Sequence, residues 1–194
     1  TFATTPTVNG KLTLAGTATV LVSTGVVTYG PGATLEYNTT NARTVTSEEW
    51  VIPFTASGGV VINTTQNVTL NSAKTFNNSV PLTVNSGGKL LLSTFLLTLN
   101  GDLINHGGSI TGTTGGVTIT GTVPQNIGAF STTGTILMVK TAGTATFTGP
   151  VSGGALTING TGGTLNLGSG LIHSLSGIVT LSNGILNGGS SRLN

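Results

Sequence analysis

The sequence predicts an all-β chain wound as a parallel β-helix, or β-solenoid, with about three short strands per coil. The first observation is a recurring apolar–Thr–apolar unit: LTL at 12–14, VTL at 68–70, LTV at 82–84, LTL at 97–99, VTI at 117–119, LTI at 156–158 and VTL at 179–181. Period-two alternation puts both apolar side chains on one face of such a strand and Thr on the other. The second is spacing. Leu90, Leu97, Leu103, Ile110 and Val117 follow one another at steps of about seven residues, and the step returns at Leu165, Ile172, Val179 and Leu186. The third is the absence of helical periodicity in any window free of interrupting Gly or Thr.

The elements follow in order. The first unit lies at 12–14. Residues 41–58, with NARTVTSEEWVIPF, break the rhythm, and Pro53 cannot donate to a central ladder. A single domain spanning 1–194 is expected, with a non-repetitive excursion around 41–58. From 68 onward the short strands resume, each ended by Asn, Gly or Ser, which tolerate the turn conformations the chain then needs. LLLSTFLLTL, 90–99, is half the length of a membrane-spanning helix and reads as strand. Three seven-residue segments make a coil of about 20–22 residues, so eight or nine coils stacked about 4.8 Å apart form a rod of order 40 Å. Asn side chains at the turns are expected to stack into amide ladders along the axis. A right-handed coil is expected by analogy with known solenoids.

Composition excludes several function classes. Charged residues are 5% of the chain, against about 25% in an average globular protein. The formal net charge of +2 comes from six scattered bases and four acids, so there is no basic face for nucleic acid. Cysteine is absent, which removes disulfide and thiol chemistry. One Asp and two separated His offer no convergent metal set, and the Gly- and Asp-rich calcium-binding repeat is missing. Walker A, GxSxG, HExxH and GxGxxG patterns are also missing. No metal, cofactor or membrane insertion is expected. The chain starts at Thr1 without a signal-like segment and reads as a mature or excised piece of something longer.

The stretch ATLEYNTTNARTVTSEEW, with GGVVINTTQNVTLNSAKTFNNSVPLTVNSGGKLLLSTFLLTLNGDL after it, resembles repeats of large secreted surface proteins of Bacteroidetes. A later stretch from QNIGAF to LNGGSS, 125–191, is similar to a further repeat. The resemblance implies a parallel β-helix like filamentous-haemagglutinin and autotransporter rods. It also implies export, an extracellular or cell-surface location in a bacterium, and a part in adhesion or surface structure. It supplies no catalytic residues.

Glu36, Tyr37, Glu48, Glu49 and Trp50 are the candidate ligand-binding set. Glycosidases pair two carboxyl groups, about 5–5.5 Å apart for retention or about 6.5–9.5 Å for inversion. Glu48 and Glu49 are adjacent and point to opposite faces if extended, so the arrangement to test is Glu36 with either of them across coils, with Tyr37 or Trp50 as a sugar platform. The alternative to binding is that 41–58 is a decorated interruption. A separate expectation concerns Thr rows: Thr13 with Thr34, Thr98 with Thr118, and Thr157 with Thr180, one coil apart, as an ice-binding face. The leading expectation is a non-enzymatic extracellular structural or adhesive segment, an adhesin stalk, matrix or filament subunit, whose open ends stack end to end. A carbohydrate-binding or carbohydrate-cleaving solenoid near residues 36–54 is the first alternative, with a glycan or surface ligand as partner.

Overall fold

A computed structural model describes residues 4–194. Among them there is no helix, and all strand pairing is parallel; the chain is a β-solenoid of about nine turns. From the third turn on, each turn contributes to three faces, and Thr7–Val8 pairs with Thr28–Tyr29 in a separate two-stranded sheet. The first face runs through Lys11–Gly16, Thr34–Thr39, Val60–Ile62, Leu82–Val84, Leu103–Asn105, Gln125–Ile127 and Thr144–Phe147. It ends on the later halves of Leu156–Asn166 and Val179–Asn187. The second face runs from Arg43–Thr44 through Asn67–Thr69, Lys89–Ser93, Ser109–Gly112, Phe130–Thr132, Val151–Gly153 and Ile172–Leu175 to Arg192–Leu193. The third stacks Lys74–Thr75, Leu97–Leu99, Val117–Ile119, Ile136–Met138 and the opening halves of those same two long strands.

Alternation builds the core as expected. Leu35, Val60, Leu82 and Leu103 are register partners, so successive coils take 25, 22 and 21 residues. All four are buried, as are Val68, Leu90 and Ile110 in the second face and Leu97, Val117 and Ile136 in the third. Each such side chain contributes roughly 1.5–3 kcal/mol relative to exposure. The apolar run at 90–99 is two strands, Lys89–Ser93 and Leu97–Leu99, joined at a corner where Ser93 takes a positive φ of 57°. Gly59 (φ 69°) is required twice over: its backbone is left-handed, and a Cβ there would run into the Pro81 carbonyl of the next coil.

Amide ladders form in short runs only. Asn85 donates to Asn63 at 3.1 Å, Asn63 to Glu36 at 3.1 Å, and Asn183 to Asn159 at 2.8 Å. The Thr rows are partly as expected. Thr98 pairs with Thr118, and Thr157 with Thr180, but Leu137 stands between the two pairs. Thr13 and Thr34 do not stack: the register sets Thr13 beside Glu36 and Thr34 beside Lys11, two residues off.

The segment 41–58 keeps solenoid register at both ends. Arg43 pairs with Val68, Thr44 with Thr69, and Phe54 bridges Phe76. Between these points the corner is enlarged, and four of its apolar residues, Val45, Trp50, Phe54 and Ala56, are buried, while Ile52 is exposed.

The two ends of the rod differ in regularity, although among the described residues both finish on strands paired on one side only, Thr7–Val8 and Lys11–Gly16 at the first coil and Val179–Asn187 at the last. In the first coil, residues 17–27 replace regular strands and lie over the second coil. Val20 and Val27 are buried, the Val27 amide donates to the Glu48 carbonyl, and Arg43 Nη1 donates to the Ala18 carbonyl. At the other end the inward columns run out uncovered. Leu156 and Ile158 are 1% and 0% exposed, whereas their register partners Val179 and Leu181 are 43% and 55% exposed.

Candidate functional site

The five candidate residues sit in the second coil, on strand Thr34–Thr39 and the enlarged corner that follows, but on different sides of the wall. Leu35 and Tyr37 point inward, so Glu36 between them points outward. Its carboxylate lies 3.2 Å from Lys11 Nζ and accepts hydrogen bonds from Thr13 and Asn63. Partial burial opposes its charged form, but the Thr13 hydroxyl, Lys11 and the Asn63 amide outweigh that and hold its pKa below the usual glutamate value.

Glu49 lies inside. Its carboxylate accepts from Arg43 Nη2 at 2.6 and 2.7 Å, from the Tyr37 hydroxyl at 3.1 Å and from the Thr46 amide at 3.2 Å. Burial pushes its carboxyl up, against the pull of the Arg43 charge. Tyr37 closes the group from the sheet side, and its own hydroxyl is held protonated by burial and by the Glu49 charge. Tyr29 donates to the Glu49 carbonyl at 2.7 Å.

Trp50 is fully buried behind this cluster, 5.9 Å from the Tyr37 ring and 5.9 Å from Phe76, which in turn meets Phe54 at 6.3 Å. Neither Tyr37 nor Trp50 therefore presents a ring face to a sugar. The paired-carboxylate arrangement is not made either: Glu36 and Glu49 are on opposite sides of the same sheet, and half-buried Glu48 contributes its backbone carbonyl to the first coil. Among the described residues no three His, Cys, Asp or Glu side chains converge.

The interior also holds polar groups that the candidate set did not include. Arg43 heads the inward column of the second face, and Lys74 heads that of the third. Lys74 Nζ donates to the Trp50 carbonyl at 3.0 Å and stands 5.8 Å from the Trp50 ring centroid. Farther along, Lys140 Nζ donates to Gln125 Oε1 at 2.7 Å and to the Val123 carbonyl at 2.8 Å, while Gln125 Nε2 donates to the Gly101 carbonyl. Buried His173 bonds through both ring nitrogens, to the Leu167 carbonyl and the Val151 amide. Each of these buried groups is held by partners within the chain. Arg43 and Lys74 were legible in part: RTV at 43–45 and KTF at 74–76 are apolar–Thr–apolar units with a base in the first inward place.

Lys74 gives a pH prediction. Burial lowers its pKa from 10.5 to about 8, although Glu49 pulls the other way. The unfolded lysine keeps its proton to higher pH, so between pH 8 and 10 the unfolded chain binds more protons and stability rises with pH. Chemical denaturation at pH 7 and 9.5 is expected to show this gain. Lys74→Met is expected to abolish it and to raise stability at pH 7 by about 1–3 kcal/mol, since no charge then has to be buried. A gain of the same size in the variant would refute the assignment.

No protein-family model, curated protein or solved structure matches this chain.

Proposed function

We propose that this chain is a non-enzymatic structural segment of an extracellular, surface-attached bacterial protein, a rigid solenoid spacer that stacks end to end with a second copy or a following module. The observation that carries the reading is the uncovered C-terminal coil. Val179 and Leu181 stand in columns that are buried in every earlier coil they pass through, and their strand has a free edge. A further parallel coil would cover both. Sparse charge favours this, because little repulsion opposes association. The irregular first coil favours a directed stack, in which the C-terminal coil receives and residues 17–27 are presented. The surface location rests on the resemblance of the repeats to secreted Bacteroidetes proteins. The adhesive role rests on the same resemblance and on the rigidity of a continuous parallel ladder.

Sedimentation over a concentration series, with negative-stain images of the associated fraction, tests the stacking. Association into rods longer than one chain is expected, and Val179→Lys with Leu181→Lys is expected to suppress it at least tenfold while melting stays close to that of the parent. A parent chain that remains monomeric at high concentration, or a double variant that associates as well as the parent, overturns the reading.

A further inference from the structure

We propose that the partner seated on the C-terminal coil is a second copy of this chain, docked head to tail in a single register. This deepens the stacking part of the proposed role and rests on it. The two ends of the rod present matching strands in the same order. At the first coil Thr7–Val8 turns through Asn9 and Gly10 into the first-face strand Lys11–Gly16. At the last coil residues 179–181 of the third face turn through 182–184 into residues 185–187 of the first. Val8 stands in line with the third face. Its register partner Tyr29 has its ring 4.8 Å from that of Phe54, and Phe54 bridges Phe76. Thr75 pairs with Thr98, so Phe76 stands opposite Leu99, and the register carries this inward line on to Ile158 and Leu181.

The in–out pattern of one edge fits the other. Val8 over Leu181 and Leu12 over Leu186 would cover apolar side chains that each end leaves half-buried or exposed. The same register sets Thr7 over Thr180 and Thr13 over Asn187 on the outside. It also lays the alkyl stem of Lys11 on Ile185, which is 60% exposed in the single chain. Corners of unequal length already stack within the rod, 159–163 on 182–184. This corner supplies a specific contact. Asparagine ladders run one way: Asn85 donates to Asn63 and Asn183 to Asn159, each from the later coil to the earlier. Asn183 Oδ1 is therefore the last acceptor of its ladder, at the corner that Asn9 occupies in the first coil. Asn9 lays its own Oδ1 beside Gly30 of the second coil, where a Cβ would run into it. Its Nδ2 is then the donor for Asn183 of the preceding copy, and the ladder crosses the junction. Head-to-tail docking also keeps the parallel pairing found throughout the described residues, which a tail-to-tail pair would reverse.

The chain has no cysteine, so introduced thiols are the only ones present. The test mixes a Thr7→Cys chain with a Thr180→Cys chain under mild oxidation. Both positions alternate with inward residues, so the substitutions leave the interior untouched. Disulfide-linked heterodimers are expected to form at least tenfold faster in the mixture than homodimers form from either chain alone. Asn9→Ala, at an exposed turn, is expected to slow linking about fivefold, the worth of one ordinary hydrogen bond, with melting unchanged. Homodimers of the Thr180→Cys chain as the main product mean tail-to-tail contact and overturn the proposal. So does a mixture that links no faster than the single chains, or an Asn9→Ala chain that links at the full rate. Sedimentation of the parent tells the two readings apart. Association with the wrong linking pattern removes this register and leaves stacking standing, whereas a monomeric parent removes both.

Discussion

Replacing Trp50 with Ala is expected to cost about 3–5 kcal/mol, the range for deleting a large aromatic from a packed core. The ring is fully buried, and it is the common neighbour of Tyr37, Phe76 and the Lys74 ammonium. Its removal leaves a cavity that the sheet cannot close, because the walls are held at fixed spacing by ladders to the coils on either side. It also leaves Lys74 with fewer contacts while its charge stays inside. In a solenoid each coil contacts only its neighbours, so the damage should be local first. Hydrogen exchange is expected to speed up in Thr34–Thr39 and Val60–Ile62 while Val117–Ile119 and Ile136–Met138 keep their protection. Trp50→Phe, which keeps most of the buried area, should cost markedly less. A Trp50→Ala chain within about 0.5 kcal/mol of the parent by denaturant titration, the range of ordinary surface substitutions, would mean that the ring is not part of the core.

Arg43→Met is expected to be of similar size, about 3–5 kcal/mol, for an electrostatic reason. The substitution leaves the Glu49 carboxylate buried with only the Tyr37 hydroxyl and the Thr46 amide to meet it. Adding Glu49→Leu removes the stranded charge, so the double variant should recover much of the loss, and the double-mutant cycle should show strong coupling. pH gives a second readout. In the parent, burial already pushes the Glu49 carboxyl up against the pull of Arg43. Without Arg43 that upward push is unopposed by charge, and the folded chain holds a proton that the unfolded chain releases near its ordinary value. Stability of the single variant should therefore be best preserved in acid and fall as pH rises through the folded-state pKa. A single variant with the pH profile of the parent would argue that Glu49 is solvated.

The fold was legible because one periodic signal, apolar–Thr–apolar about every seven residues, states which side chains go in and how often the chain turns. The units at 82–84, 97–99 and 117–119 are strands of three residues with those bounds. The candidate site was less legible. Glu36, Tyr37, Glu48, Glu49 and Trp50 stood out by rarity, and rarity marks a change of environment without saying which side of the wall a group occupies. The structure puts Tyr37 inside and Glu36 outside on one strand, so the expectation of Tyr37 as a sugar platform failed on simple alternation. Alternation could not place Glu49 and Trp50, because residues 45–53 form a corner with no period to count.

By itself, then, the sequence determined the fold class, the coil length and most of the core, because these follow from local alternation and turn chemistry repeated many times. Only the tertiary structure decided where the single, unrepeated residues go. Arg43 pairs with Glu49, Lys74 lies beneath Trp50, and Lys140 meets Gln125, each in contact across a stretch of chain whose path has no pattern. A charge in an interior column is tolerated only where another coil brings a partner to it, and that meeting depends on the stacking of coils. The same holds for the ends: the first coil is irregular and the last leaves Val179 and Leu181 uncovered, a difference set by which strands find neighbours along the rod.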